Sequence, residues 1–524
     1  MDTADNADSP DAAQTADELR ELLQDAAREF PAYVQSALSR TARIHPDAEA
    51  TSTLPLELPE HGSGRTGVWR DIRAALDAAT NTWNPRFLYK LYAGPTPVGV
   101  LSEALLGLLN NNAHVFGASP AGALIEQAVG RRLCELAGMP PGAAGLTFPG
   151  GSYANLHALV AARNTRFPEC HEGGLWALAE KSVRPVMFTS AHAHYSLVKG
   201  AVAAGLGTRG VVCVPTDTEG RMDARALRVL VERHVRQGDS PFFVNATAGT
   251  TVLGAFDPLA QVADVCDEYG LWLHIDGSWG GPLLLFGQHP QVPVGRVHSL
   301  TINPHKLLGV PLHCSFLLVR QGLPALRSAL ALGAQYLYHT DDQDEEGEGG
   351  ACDFGDATLG CGRRPDAVKL WLVWRYHGTQ YLRARVHRAR DLALGFARMV
   401  QARDGLGAGV WRLVAEPQGT TVCFWHVPQH LIALHGSAGS AEQPERWWGS
   451  VASSVCRRVN ASGGALIDYA TMERFGAPPE YAAEELPCFF RIPFNNPVVT
   501  EHTQRDLLDL IEQTAAELES LDLI

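Results

Sequence analysis

Ser299-Leu-Thr-Ile-Asn-Pro-His-Lys-Leu-Leu-Gly-Val310 ends a short apolar run and sets a lysine at the turn behind it. Ser299–Ile302 reads as a buried strand, and Asn303-Pro304 stops it, because proline cannot continue a central ladder. Lys306 then stands with Leu307, Leu308, Val310 and Leu312 behind it. An unpaired ammonium is costly to bury. A lysine so placed is therefore read as a reagent: desolvation lowers its pKa and leaves an amine able to form a Schiff base. The chain holds only five lysines, Lys90, Lys181, Lys199, Lys306 and Lys369. Lys181 follows an Ala/Glu helix tail and reads as solvated, while Lys199 and Lys369 fit snorkelling positions on amphipathic helices. Lys306 alone combines the strand–turn setting with a neighbouring His305 and an acidic strand end, Asp276, upstream.

Outward from this stretch, short apolar runs alternate with helical ones. The runs are Val186–Ser190, Gly210–Pro215, Pro241–Ala246, Leu271–Asp276, Ser299–Ile302 and His313–Val319. Between them lie helical stretches such as Asn155–Arg163, Ser196–Ala204, Asp223–Gln237 and Pro258–Tyr269. The alternation predicts a mostly parallel sheet with helices on both faces, within a large domain at 111–380. Before it, residues 1–15 read as a disordered polar tail. Residues 16–110 read as a helical arm and dimer segment, with helices at Ala16–Leu38, from Trp69 to about Thr80, and at Val98–Leu109. The aromatic-rich stretch Asn84–Pro97 is a loop. Residues 381–524 form a smaller α+β domain, with strands in Val414–Trp425 and Phe489–Pro493 and helices at Trp447–Gly463 and Thr503–Leu521. The acidic, Gly-rich loop from about His339 to Gly362 is either a solvated surface loop or a mobile lid.

The 524-residue chain is 46% hydrophobic and 19% charged, a globular balance with room for two or three domains. Its net charge of −14, with no basic stripe, argues against a nucleic-acid partner. No apolar run reaches the roughly 18 residues of a membrane span, and Met1–Pro10 is too polar for a signal peptide, so no membrane partner is expected. The ten cysteines form no CxxC pair and no Cys/His metal spacing. Reduced thiols in a cytoplasmic protein, and no metal, are expected. Arginine dominates the basic residues, and with abundant Ala and Gly this suggests a high-GC bacterial genome.

Other apolar runs also end in chemistry-bearing side chains. Phe148-Pro-Gly-Gly-Ser-Tyr-Ala-Asn155 precedes a helix: Gly150 and Gly151 let backbone N–H groups approach an anion, and Ser152 adds a hydroxyl at the positive helix end. Taken alone, this is a weak phosphate signal. Asp276 ends Leu271-Trp-Leu-His-Ile-Asp276, where parallel sheets bind ligands. It is either a helix cap or a carboxylate that keeps a pyridine nitrogen protonated, the condition under which pyridoxal phosphate is an electron sink. His194, in Phe188-Thr-Ser-Ala-His-Ala-His-Tyr-Ser196, could stack on an aromatic ring; His192 competes for that place, and either could be structural. Thr247, in Asn245-Ala-Thr-Ala-Gly-Thr-Thr251, again follows an apolar strand. These sites and Lys306 are compatible with one pocket.

The set Pro149–Asn155, Phe188–Ser196, Asn245–Pro258, Leu273–Gly281 and Asn303–Ser315 resembles the pyridoxal-phosphate-dependent group II amino-acid decarboxylases, in their glutamate/cysteine-sulfinate branch. The similarity continues through Cys361-Gly-Arg-Arg364, Leu370-Trp-Leu-Val-Trp374 and Phe489-Phe-Arg-Ile-Pro493. It implies fold type I (aspartate-aminotransferase-like): a mostly parallel seven-stranded sheet flanked by helices, a small α+β C-terminal domain, an N-terminal helical arm, and a homodimer with shared active sites. It also implies pyridoxal 5'-phosphate as cofactor and α-decarboxylation of an L-amino acid, such as aspartate, glutamate or cysteine sulfinate, to the amine and CO2. By motif, Lys306 resembles the Schiff-base lysine, Asp276 the pyridinium partner and His194 the ring-stacking histidine. Thr247 resembles the threonine beside the ring, and Gly150, Gly151, Ser152 and His305 resemble phosphate-side contacts. Arg491 matches an arginine that meets a substrate carboxylate, with Phe116 and Lys90 also on the substrate side. Asn155 is expected to serve the helix start.

Two departures stand out. Leu88-Tyr89-Lys90-Leu91 replaces the Phe-Asn-Gln-Leu of the acidic-substrate enzymes, so Lys90 stands where a glutamine helps hold a distal carboxylate; it either binds an anionic side chain or points to solvent. The family's mobile loop carries a tyrosine that protonates the carbanion after CO2 leaves, but here no tyrosine lies between Tyr338 and Tyr376. His339 and Tyr338 remain as candidate donors, and residues 341–352 are expected to be mobile. The missing tyrosine favours a rival outcome, oxygen-dependent deamination to an aldehyde or another carbanion reaction. A catalytically silent paralogue is the second rival, opposed by the intact Lys306, Asp276 and His194.

Overall fold

The computed structural model describes residues 12–39, 41–287, 289, 295–338, 353–404, 409–435, 447–473 and 485–517. Most of the expected tail therefore lies outside the described residues, and residues 12–15 belong to the helix Ala12–Ala37 rather than to a tail. The loop residues 341–352, and His339, also lie outside them.

After β1 (Phe87–Leu88), seven strands form one sheet: β2 (Ala144–Phe148), β3 (Arg184–Ser190), β4 (Val211–Val214), β5 (Asp239–Thr247), β6 (Trp272–Gly277), β7 (Ser299–Ile302) and β8 (Ser315–Val319). Their order is β2-β8-β7-β6-β5-β3-β4. The central strands β7, β6, β5, β3 and β4 run parallel, whereas β8 is antiparallel to both β7 and β2. The inner strands β6 and β7 are buried along their whole length, as expected of strands covered on both faces. Alternation along β8 shows the two faces: Phe316 and Leu318 enter one core cluster, Leu317 and Val319 another. The helix Gly151–Arg166 packs across β5, β6, β7 and β8 on the second of these faces.

A second sheet gathers β1, β9 (Val410–Leu413), β10 (Thr421–Val427), β11 (Leu466–Glu473) and β12 (Glu485–Pro493) in the order β1-β11-β12-β10-β9. The aromatic-rich stretch read as a loop thus contributes a strand, with Phe87 and Leu88 pairing in parallel with Leu466 and Ile467. Burial explains it: Phe87 and Leu88 are each 1% exposed. The two sheets are bridged by the helix Ala367–Arg403, which runs through residue 380 and is interrupted only at Gly378, with φ +79°.

Lys369 corrects its expectation. It does not snorkel; it is fully buried, its Nζ donating to Glu103 Oε1 (2.9 Å) and the His313 carbonyl (2.7 Å), with Asp366 at 2.9 Å. Among the described residues no helix is long and apolar enough to cross a membrane, and no group of three His, Cys, Asp or Glu side chains could hold a metal.

Candidate active site

Register brings three strand ends together. Thr247 on β5 lies opposite Asp276 on β6, and Asp276 opposite Thr301 on β7. One turn beyond β7, the short helix Pro304–Leu307 carries Lys306. Lys306 is half-buried. Burial pulls its ammonium from 10.5 down to about 8, Asp276 opposing the shift and Arg491 adding to it. A share of the amine is therefore neutral near pH 7.

Asp276 is buried and held at both oxygens: Oδ1 accepts from the Ser278 N–H (3.0 Å) and Oδ2 from Asn155 Nδ2 (2.9 Å). Burial alone would raise its pKa, yet the Ser278 bonds and the charge of Lys306 hold the carboxyl below its ordinary range. His194, just past β3, is half-buried. Its Nδ1 accepts from the Ser196 N–H (3.3 Å), which puts the proton of the neutral ring on Nε2. Burial keeps its pKa below the usual value although Asp276 pulls the other way, and Lys306 adds to the depression. His192 instead faces the turn at Gly220.

Gly150, with φ +116°, turns the chain into the helix Gly151–Arg166. Tyr153 and Ala154 are the first N–H groups to bond back to the Gly150 carbonyl, so those of Gly151 and Ser152 stand outside the helix ladder. A Cβ on Gly151 would lie 2.5 Å from Ser278 Oγ and 2.9 Å from Asn303 Nδ2, so only glycine brings this helix start so close to the strand ends. Asn303 Oδ1, in the same crevice, is buried without a partner among the described residues. His305 is buried with Nδ1 engaged by the Cys314 backbone (2.8 Å to O, 3.1 Å to N), and burial holds it down to about 3. Helix-start donors, an ionised carboxylate, a partly neutral amine and an imidazole suit a phosphorylated pyridine aldehyde. The residues present fit pyridoxal phosphate.

The substrate side is built differently. Arg491 on β12 is buried; it donates from Nη1 to the Thr251 carbonyl (3.0 Å) and from Nη2 to the Tyr89 carbonyl (3.1 Å) and Asp468 Oδ2 (3.3 Å). Its Nε is buried with no partner among the described residues. Lys90 Nζ meets the same Asp468 oxygen at 3.0 Å and lies 3.8 Å from the centroid of the Tyr89 ring. Lys90 is thus paired with an internal carboxylate while its side chain stays 41% exposed.

Phe116 and Tyr338 make contacts of their own. The Phe116 N–H donates to Asp353 Oδ1 (2.7 Å), and its ring packs on the cluster holding Phe354. Tyr338 Oη lies against Gly355, whose N–H bonds the His114 carbonyl, and burial with neighbouring carboxylates raises its phenol to about 12. Asn155 does not serve the helix start. It sits one turn inside the helix, and its amide reaches Asp276 rather than capping anything. Its spacing from Gly151, four residues on and so on the same helix face, was the available signal. Asp468 carried no signal, since nothing in β11 announces a partner 378 residues away.

The pyridoxal-dependent decarboxylase conserved domain matches residues 46–427, most of the chain. The chain belongs to the pyridoxal-dependent decarboxylase family. It is 40% identical to an L-aspartate decarboxylase of Metarhizium robertsii over 382 residues (72% of this chain, 73% of that protein). It is 35% identical to the cysteine sulfinic acid decarboxylase of Homo sapiens over 472 residues (90% of each). The crystal structure of the mouse enzyme CSAD superposes with a TM-score of 0.83 at 31% identity, over 96% of this chain and 99% of that one. The expected fold type I is therefore present, and the decarboxylase is a pyridoxal-phosphate carboxy-lyase acting on an amino acid.

Proposed function

We propose that this decarboxylase removes the α-carboxylate of a small acidic L-amino acid, aspartate, cysteine sulfinate or glutamate, giving the amine and CO2. The observation that carries the reading is the convergence of Arg491 and Lys90 on Asp468, with Arg491 close enough to shift Lys306. Two cations there suit a substrate with two acid groups better than an apolar one. The acidic substrates in the names of the relatives support the same class.

When bound, pyridoxal phosphate supplies the electron sink for the pair left on Cα as CO2 departs. Lys306 would hold the cofactor through its amine, which burial keeps partly neutral. Asp276, held below its ordinary pKa, would keep a proton on the ring nitrogen, with His194 and Thr247 as the residues that would flank the ring. The Gly150–Gly151 turn, Ser152 and His305 would hold the phosphate end. Arg491 orients the substrate carboxylate. The decarboxylase works as a homodimer: the helix Pro97–Leu109 leaves Leu101 and Leu108 63% and 68% exposed, an apolar face suited to a second copy. Among the described residues, Cys134, Cys170, Cys266, Cys314, Cys361, Cys423 and Cys456 are free thiols, which suits a cytoplasmic setting.

Incubation with the twenty amino acids and cysteine sulfinate, with products read by mass spectrometry, tests this. Amine from aspartate, glutamate or cysteine sulfinate supports it; turnover confined to aromatic or aliphatic substrates overturns it. The tucked-away Tyr338 phenol favours a second reading in which part of the carbanion meets oxygen and yields an aldehyde. Oxygen uptake with aldehyde beside amine would support that partition; amine alone would refute it.

A further inference from the structure

Behind Asp276, polar side chains run in a line through the core on the face covered by the helix Gly151–Arg166. Trp272 Nε1 donates to Ser299 Oγ (2.9 Å), and Ser299 Oγ lies 2.8 Å from His274 Nδ1. His274 Nε2 lies 3.1 Å from Asn155 Oδ1 and 3.5 Å from Thr301 Oγ1; Asn155 Nδ2 donates to Asp276 Oδ2 (2.9 Å) and to Ser196 Oγ (3.1 Å). Trp272 is 8% exposed, Asn155 1%, and His274 and Ser299 are completely buried, so these bonds are shielded from bulk solvent.

Their direction follows from Asp276. An ionised carboxylate accepts only, so Asn155 must turn its NH2 toward it and its oxygen toward His274. His274 must then carry its proton on Nε2, which leaves Nδ1 as an acceptor. Ser299 supplies that hydrogen and takes the indole N–H in return. Reversing any link sets two lone pairs against each other in a dry core, where unmade bonds are costly. Burial keeps His274 neutral, down to about 4, so a single ring proton serves the whole line.

We infer that Trp272, Ser299, His274 and Asn155 form a one-way hydrogen-bond chain that keeps Asp276 ionised and aimed at the cofactor's ring nitrogen, with His274 a positioning residue acting through Asn155. The chain is sensitive to polarity rather than volume. In His274→Phe the amide of Asn155 is free to flip; in His274→Gln, Nε2 stands where the imidazole donor stood and keeps Asn155 in place.

The test measures the cofactor dissociation constant, together with kcat and KM, on the folded dimer with pyridoxal phosphate titrated back. For His274→Phe we expect cofactor affinity and kcat each to fall on the order of tenfold, with KM for substrate within about threefold, the loss typical of one bond to a charged group. His274→Gln should recover most of both. A second measurement needs no turnover: in protein labelled with 15N-histidine, the His274 signal, found by difference against His274→Gln, should show protonation at Nε2 alone. In Asp276→Asn it should become a mixture of tautomers. Equal behaviour of His274→Phe and His274→Gln, or a His274 tautomer indifferent to Asp276→Asn, overturns the proposal. Should His274→Phe fail to fold, Ser299→Ala decides: cofactor affinity and kcat both unchanged from wild type refute the chain.

Discussion

The two ends of the site are held by opposite means. At the cofactor end, Asp276 is buried and both of its oxygens are engaged by neutral donors on Ser278 and Asn155. At the substrate end, Lys90 and Arg491 share one oxygen of Asp468, and the Lys90 side chain is 41% exposed. Neutral donors in a dry core fix one arrangement, because each alternative strands a polar group. A half-exposed ion pair is worth about 0–1 kcal/mol and is easily exchanged for another anion. The first end is therefore built to stay put, and the second to change partners when substrate arrives.

The contrast breaks most completely at Lys306. Lys306→Ala should abolish turnover and leave no cofactor that borohydride can fix to the protein, while the fold survives. A reducible adduct in that variant would remove Lys306 from its role. Next in size is Asp276→Asn. An amide cannot hold the ring-nitrogen proton, and losing one partner of a buried ion pair costs several kcal/mol, so activity should fall on the order of a hundredfold or more. Activity within about threefold of wild type would refute it.

That rigid end was also the more legible in the sequence. Lys306, Asp276, Thr247 and His194 each follow an apolar run, and the sheet's parallel register brings such ends together whatever their spacing in the chain. What stayed hidden needed three dimensions. Asn155 looked like helix-start chemistry, since nothing in Gly151–Arg166 says which strand its face will meet. Lys369 looked amphipathic, since Glu103, which neutralises it, lies far upstream on another helix. Phe87 and Leu88 looked like loop because a two-residue strand has no period to read.

A milder effect separates Lys306 from the four other lysines. With its ammonium drawn down to about 8, the cofactor-free protein should react with an amine reagent or with pyridoxal phosphate at a rate that climbs through pH 8 and levels above it. The sign follows from the cause: burial disfavours the charged form, so the reactive amine appears earlier as pH rises. A rate still climbing steeply near the ordinary 10.5 would mean that water reaches the amine freely.

The smallest effect falls at the flexible end, and its sign is informative. Asp468 is an internal anion lying where Lys90 and Arg491 would otherwise meet a substrate acid group, so it competes for them. Arg491 keeps its bonds to the Thr251 and Tyr89 carbonyls without Asp468, which leaves the guanidinium oriented. Asp468→Asn should therefore lower KM for the acidic substrate by about two- to fivefold, the scale of a partly exposed ion pair, with kcat nearly unchanged. Lys90→Gln should raise KM by a similar factor, and in the double variant the two changes should fail to add, because both act through the same oxygen. A KM that rises in Asp468→Asn would mean that the carboxylate holds the cations in place for substrate instead of contending with it. The substrate end would then be as preorganised as the cofactor end.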